Sequence, residues 1–179
     1  MKKAIILTCT GFKDYEAVYP YYRLLEENFE VDVIADTVGK VVGILGGSIP
    51  STIPLTTLLS KDMRSKFIEN YDILILPGGV TSLEKLRLQP QAVSFVKEWN
   101  DQNKIIGSIC SGAQMLISAN IINGRRISAY YSMEQDIWNA GANFIDAPAV
   151  TDGNIISSPH YKYLGDWMKE IFRVYNDKK

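Results

Sequence analysis

The sequence predicts an α/β fold: a doubly wound, mostly parallel sheet sandwiched by helices, with a small β-hairpin excursion. Three observations predict it. Apolar runs such as Ala4 to Leu7, Ile73 to Leu76 and Ile105 to Ile106 are continuous rather than alternating, the pattern of strands covered on both faces. Segments with helical apolar spacing lie between them, so strands and helices take turns along the chain. A chain of 179 residues, 46% hydrophobic and 22% charged, has material for one compact domain with a sizeable core, and residues 1–179 are expected to form it.

In order, Lys3 to Thr10 reads as the first strand. Asp14 starts a helix reaching about Asn28, with Val18, Tyr22, Leu25 and Phe29 at helical spacing and Asp14 and Glu16 suited to its positive end. Pro20 bends that helix or sits in its first turns. Val31 to Ala35 is the second strand, which implies a right-handed crossover. Val41 to Leu45 and Ser48 to Leu55 flank Gly46-Gly47 and read as a hairpin on an edge, because Pro50 and Pro54 exclude a central strand. Ile73 to Leu76 is a strand ending at Pro77-Gly78-Gly79. Pro90 to Gln102 is a helix with Val93, Val96 and Trp99 on one face. Lys104 to Ile109 is a strand, Gly112 to Asn120 a helix, Ile127 to Tyr130 a strand, and Met133 to Ala140 a helix closed by Gly141. Ala149 to Thr151 and Asn154 to Ser157 flank a tight Asp152-Gly153 turn, and Tyr161 to Tyr175 is the last helix. This is the flavodoxin-like arrangement, in which ligands bind at the carboxyl ends of the strands. Those ends are Thr8 to Gly11, Pro77 to Val80, Cys110 to Gly112, Tyr130 to Ser132 and Ser158 to His160.

Composition narrows the partners. Nineteen basic against twenty acidic residues leave a net charge of -1, without the basic excess of a phosphate-backbone binder, so no nucleic acid is expected. The apolar opening is far shorter than a membrane span and no small-residue cleavage site follows it, so no membrane partner and a cytoplasmic location are expected. Two distant cysteines, Cys9 and Cys110, do not make a disulfide scaffold. A zinc site would need both of them, the single histidine His160 and a fourth ligand without any ligand-spacing motif, so neither metal nor other cofactor is expected.

The chemistry points to Cys110. Ile105 to Gly112 is an apolar strand running into a cysteine and a small-residue turn that opens a helix, the logic of a nucleophile elbow. A helix start there is expected to stabilise thiolate, whereas an inert buried thiol is the bland alternative. Gly78 and Gly79 allow backbone N–H groups to approach a ligand closely, as an oxyanion hole requires, though a glycine turn is also an ordinary turn. Glu16 can return over the sheet's carboxyl edge, where a carboxyl beside a thiolate has its pKa raised and can donate to sulfur.

These motifs resemble the PfpI/ThiJ family, whose superfamily holds the parkinsonism-associated deglycase and is related to class I glutamine amidotransferase domains. The resemblance covers almost the whole chain. It rests on Gly11 to Glu16 with Tyr19-Pro20-Tyr21, on Leu76 to Gly79, on Ser108 to Gln114, on Ala140-Gly141-Ala142 and on Val150 to Asn154 with Ser157-Ser158. It implies Cys110 as nucleophile, Glu16 as the carboxyl bonded to it, Gly79 and Ser111 as main-chain donors to an oxyanion, and a homodimer or larger homo-oligomer. It also implies Glu84 weakly, as a glutamate presented to a neighbouring subunit, because the local spacing is about one residue longer.

Two family histidines are missing: Ser111 follows the cysteine, and Tyr130 stands on the later strand. Proton transfer to a leaving amine wants a group titrating near neutrality, so peptide hydrolysis is disfavoured. The expectation is a cofactor-independent, cysteine-dependent hydrolase or lyase acting on a small-molecule electrophile, glyoxalase- or deglycase-like or isonitrile hydratase-like. The rival is a non-enzymatic oxidative-stress protein with Cys110 as redox sensor. His160, where the family has an arginine near the pocket, is the remaining acid–base candidate, with a surface-loop role equally open. Tyr130 and Tyr131 can bond a substrate carbonyl or pack at an oligomer contact. Cys9 reads as a core residue rather than a resolving thiol.

Overall fold

The computed structural model describes residues 1–178. Strand β1 (Lys3–Leu7) leads into helix α1 (Asp14–Glu26) and strand β2 (Glu30–Ala35). The hairpin β3 (Gly39–Val42) and β4 (Ser48–Ser51) follows, then β5 (Ile53–Pro54) and α2 (Lys61–Asn70). Next come β6 (Ile73–Leu76), α3 (Val80–Arg87), α4 (Pro90–Asp101), β7 (Ile105–Ile109) and α5 (Ala113–Ser118). The chain ends with β8 (Arg126–Ile127), α6 (Glu134–Asn139), β9 (Asn143–Phe144), β10 (Val150–Asp152), β11 (Ile155–Ser158) and α7 (Leu164–Asp177).

The main sheet has seven strands in the order β10-β11-β7-β6-β1-β2-β5. Every pairing in it is parallel except β10 with β11. This is the expected doubly wound α/β sheet. Its central strands β6 and β7 are buried along their whole length, which is why their sequences are continuous apolar runs. One face packs on α1 and α7 through Ala17, Leu24, Trp167 and Ile171. The other packs on α2 to α6 through Phe67, Leu86, Phe95, Trp99, Leu116 and Ile137. Each face holds a fully buried tryptophan whose indole N–H is satisfied by a strand carbonyl, Trp99 on Ile105 and Trp167 on Ile156, both at 3.0 Å.

The order of strands reverses between β1 and β6, and this switch point is where a ligand crevice forms in open α/β sheets. The register Leu76↔Ser108, carried two residues further, brings Gly78 to the level of Cys110. That alignment places the glycine turn beside the cysteine.

Several elements differ from expectation. The hairpin does not extend a sheet edge: β3 and β4 form a separate antiparallel pair, joined through residues 43–47 rather than a two-residue Gly46-Gly47 turn. The edge belongs to β5, whose Ile53 and Pro54 pair with Ile34 and Ala35. The hairpin is drawn over the start of α1 because the nearly buried Asp14 carboxylate accepts N–H bonds from Leu45 (2.8 Å) and Gly47 (2.6 Å), and Phe12 O accepts from Ile44. The expected strand through Tyr130 is only β8, which pairs with β9 outside the main sheet. Tyr130 lies beyond it, where its N–H donates to Cys110 O at 3.2 Å. The final helix begins at Leu164, after a 3₁₀ turn over Tyr161–Tyr163. Helices α2 and α3 escaped the apolar pattern because α2 buries only Phe67 and Ile68, and α3 is eight residues long. Ser60 caps α2 through its side chain, a local signal independent of periodicity.

Replacing Asp14 with alanine leaves two loop amides without their acceptor. Asp14→Ala is expected to cost about 2–4 kcal/mol in urea unfolding and to speed protease cleavage within residues 43–47, with Asp14→Asn intermediate. An Asp14→Ala protein as stable and protease-resistant as the native one would show that the carboxylate does not hold the hairpin.

Candidate active site

Cys110 follows β7 directly, at φ 57°. That left-handed conformation is uncommon for a residue with a Cβ and costs of order 1–3 kcal/mol where the surroundings enforce it. It turns the thiol out of the strand direction before the 3₁₀ turn Cys110–Gly112 and α5. Gly112 has to be glycine here, because a Cβ would run into the Leu76 carbonyl.

Glu16 comes from the first turn of α1 and is completely buried. Gly78 N–H donates to its Oε2 at 3.0 Å. The other oxygen, Oε1, has no further partner of full hydrogen-bond geometry, and the carboxyl and the Cys110 thiol influence each other's titration. A Cβ on Gly78 would collide with Glu16 Oε2 and crowd Cys110 Cβ and Ser111 Oγ. The turn is therefore glycine because a buried carboxyl needs its amide at close range. Pro20, inside α1, removes the helical bond that would close on the Glu16 carbonyl.

Burial pushes the Glu16 carboxyl up to about 7, against the pull of Cys110, Gly78 and Lys13. Burial, followed by the Glu16 charge, pushes the Cys110 thiol up to about 12, with Ser111's N–H and hydroxyl pulling the other way. The expectation of a thiol lowered by a helix start is thus reversed. Desolvation and a neighbouring carboxylate outweigh the weak dipole of the six-residue α5. The pair gives up its first proton near pH 7 and keeps its second. Thiolate at neutral pH forms by moving the remaining proton from sulfur to Glu16.

A cavity of about 390 Å³ opens over this pair, lined among others by Lys13, Glu16, Gly79, Cys110, Ser111, Tyr130 and His160. A larger cleft of about 670 Å³ between α2 and α4 is lined by residues such as Lys61, Ser65, Glu98 and Lys104 and holds no cysteine or histidine. The structure thus brings the sequence-selected residues to one place, but two of the backbone donors are engaged. Gly78 N–H serves Glu16, and Gly79 N–H donates to Ser111 Oγ at 3.0 Å. Ser111 relays that polarity, since its N–H and hydroxyl both act on the Cys110 sulfur. His160 Nδ1 accepts the Lys162 N–H at 3.2 Å, and its ring packs on Tyr161 with centroids 4.0 Å apart. Burial, Lys162 and Lys13 together hold its pKa below the ordinary value, so the ring is neutral at pH 7 and Nε2 carries the proton. His160 is then a hydrogen-bond donor rather than a base.

Tyr130 and Tyr131 are partly exposed and pack on each other and on His160. Cys9 is buried among the side chains of the opposite sheet face, its thiol pushed up to about 12 chiefly by desolvation, and both cysteines are free. Glu84 is exposed on α3 and does not line the cavity. Sequence reasoning did not single out Lys13, Ile44 or Tyr161, which also line it. Lys13 lies inside the Gly11 to Glu16 motif and Tyr161 directly follows His160, the signals that could have found them.

Fold and site together define a flavodoxin-like α/β protein with a cysteine on a strand-to-helix elbow opposite a buried carboxyl. The chain belongs to the DJ-1/PfpI family, whose model matches residues 2–174. It is 36% identical over 172 residues to deglycase TK1284 of Thermococcus kodakarensis, covering 96% of this chain and 98% of that one. It is 34% identical to deglycase PfpI of Pyrococcus furiosus, with the same coverage. Among solved structures, a two-domain protein from Anabaena variabilis with DJ-1/ThiJ/PfpI-like and ferritin-like domains superposes with a TM-score of 0.88 at 28% identity. That match covers 98% of this chain and 48% of the longer one. Schizosaccharomyces pombe DJ-1 shares the fold, with a TM-score of 0.84 at 22% identity over 98% of this chain and 95% of that one.

Two measurements check this geometry. Because the folded pKa of Glu16 is raised from 4.5 to about 7, the stability it contributes is full below pH 4.5 and is lost as pH rises through 7. Glu16→Gln, which cannot ionise, is therefore expected to be more stable than the native protein at pH 8 by up to about 3 kcal/mol, with the gap closing by pH 5. Equal stabilities at both pH values would mean that the carboxyl is not held by desolvation. Gly78→Ala is expected to fold with normal far-UV circular dichroism but to lose at least about tenfold in Cys110-dependent activity, as the methyl displaces the carboxyl. Native activity would place the Gly78 contact outside the working site.

Proposed function

We propose that this protein is a cofactor-independent enzyme of the deglycase or glyoxalase type, in which Cys110 adds to the carbonyl carbon of a small electrophile and Glu16 moves the protons. The observation that carries this reading is the Glu16–Cys110 pair: a wholly buried carboxyl, gripped by Gly78 N–H, facing a thiol on a strained turn at the floor of a small cavity. The deglycase names of relatives at 34–36% identity support it.

The sulfur proton passes to Glu16, the S–C bond forms, and the carbonyl π pair moves to oxygen, which recovers the proton from Glu16. On an α-oxoaldehyde the freed carboxylate then takes the C–H proton of the hemithioacetal, the hydroxyl proton passes to the neighbouring ketone oxygen in the resulting enediolate, and the carboxyl returns its proton to the adjacent carbon. The resulting thioester is hydrolysed by water to a 2-hydroxy acid and free thiol. With a glycated amine, hemiaminal collapse releases the amine and supplies the aldehyde to the same steps. Ser111 steadies the sulfur, and the neutral His160 and Tyr130 are donors available to the substrate oxygen. Peptide hydrolysis stays disfavoured, because no imidazole adjoins the cysteine in sequence and His160 is held neutral as a donor. Cytoplasmic location and assembly as a homodimer or larger oligomer are part of the same reading; sedimentation analysis tests the assembly.

The deciding experiment is a screen of purified protein on methylglyoxal, a glycated amine, an isonitrile and a peptide amide. Turnover of the first two is expected. Cys110→Ser should abolish it, and Glu16→Gln should lower it by about 10²–10⁴. The rate should rise with pH through about 7, as the pair sheds its first proton. Turnover of the isonitrile alone would move the reading to hydration. Inertness toward all four, with peroxide converting Cys110 to sulfinate, would replace the enzyme with a redox sensor.

A further inference from the structure

The cavity mouth is positively charged in a way the proposed chemistry does not require. Lys13 lines it beside Glu16 and His160, and its Nζ stands over the Tyr161 ring, 5.4 Å from the centroid. Lys162, two residues from His160, rests its ammonium against the rings of Tyr131 and Tyr163. Both lysines act on His160. Lys3 is matched with Glu30, Lys85 with Asp36 and Lys97 with Asp101, while lysines such as Lys40, Lys61 and Lys169 stand without an ion pair away from the cavity. Among the described residues Lys13 and Lys162 form no ion pair.

The acids nearby do not neutralise this end of the cavity. Both Asp14 oxygens are taken by the Leu45 and Gly47 amides on the hairpin side. Glu16 is the one acidic residue lining the cavity; its desolvated carboxyl titrates only at about 7, so it carries at most part of a charge at neutral pH, and it makes no ion pair with Lys13. A cation at the rim of a cavity walled by Tyr130, Tyr161 and Ile44 works in lower dielectric than bulk water, which strengthens its attraction for an anion. The face of the Tyr161 ring holds the Lys13 ammonium at the rim without neutralising its charge.

We propose that the site selects electrophiles carrying an anionic group, a carboxylate or a phosphate, with Lys13 as the anchoring residue and Cys110 attacking the carbon nearby. This rests on the reading of Cys110 as the attacking thiol and specifies which carbonyl compounds that thiol meets. Lys162, further out, adds to attraction at the mouth rather than to the contact itself.

Iodoacetate and iodoacetamide test it without turnover. Each forms an S–C bond with the Cys110 thiolate and releases iodide, the sulfur proton passing to Glu16, and the two reagents differ by a carboxylate against an amide. The ratio of their rates cancels the intrinsic reactivity of the thiol, so a change in thiol pKa caused by the substitution drops out. Peptide mass mapping restricts the reading to Cys110 and sets Cys9 aside.

The native ratio is expected to exceed that of a neutral reference thiol, N-acetylcysteine amide, by about tenfold at low salt and to shrink as salt is raised. Lys13→Met should bring it within about twofold of the reference. Lys13→Arg should preserve the preference. Protection of Cys110 from iodoacetamide by acetate would assign the carboxylate form of substrate, and protection by inorganic phosphate the phosphate form. A native ratio at or below the reference, a Lys13→Met ratio equal to native, or protection by neither anion would overturn the proposal. None of those results would touch thiol addition to neutral aldehydes, and failure of methylglyoxal turnover would leave the alkylation ratio measurable.

Discussion

The constraint on which the rest of this structure depends is a carboxyl kept out of water. Glu16 has no exposed surface and one amide partner, so its charged form is costly and it competes with the facing thiol for protons. Neighbouring features follow from holding it there. Gly78 has no side chain because the amide must reach the carboxyl, Gly112 none because the turn after Cys110 presses on Leu76, and Cys110 accepts an unfavourable φ because the thiol must face the carboxyl. The parallel register of β6 and β7 sets the glycine turn and the cysteine at one level, so the sheet itself supplies the alignment.

The same constraint changes how reactivity should be understood. A cysteine at the start of a long exposed helix is activated by a field that favours thiolate. Here the adjoining helix is six residues long and burial raises the thiol's pKa, so in the proposed mechanism the thiol would gain nucleophilicity by giving its proton to a partner close by. Transfer within the pair leaves its total charge unchanged and avoids most of the desolvation cost that separate ionisation would carry. Ser111, polarised by Gly79 N–H, is the group best placed to bias where that proton sits.

Around this buried centre the chain builds a rim of different character. The β3–β4 hairpin, pinned by Asp14, delivers Ile44 to the cavity, while the turn after β11 delivers His160 and Tyr161. The wall is thus aromatic and aliphatic with cations at its edge, above a floor in which charge is suppressed. Such a division suits a substrate with a charged group outside and a reactive carbon inside, since each part meets the environment in which its own interactions are strongest.

How much of this was legible beforehand follows from the range of each interaction. Continuous apolar runs disclose buried parallel strands because both faces of each strand are covered, and the elbow at Cys110 and the turn at Pro77-Gly78-Gly79 announce themselves through small residues that only a sharp local geometry demands. Glu16 was visible as a first-turn acid that the helix could return to the sheet edge. Helices α2 and α3 were not visible, because too few of their side chains are buried to leave a period. The hairpin's position depended on hydrogen bonds between residues about thirty positions apart, to Asp14 from Leu45 and Gly47 and to Phe12 O from Ile44, and Lys13 gained meaning only from Tyr161 on the far side of the chain. Least legible was the direction of the thiol's pKa: a helix start nearby is written locally, but desolvation is a sum over everything that packs against the group. By itself, then, the sequence determined the layered sheet, the elbow and the residues gathered at its edge; the tertiary structure decided their protonation, their occupied donors and the charge of the rim, because those depend on which distant groups exclude water and which lie within a few ångströms.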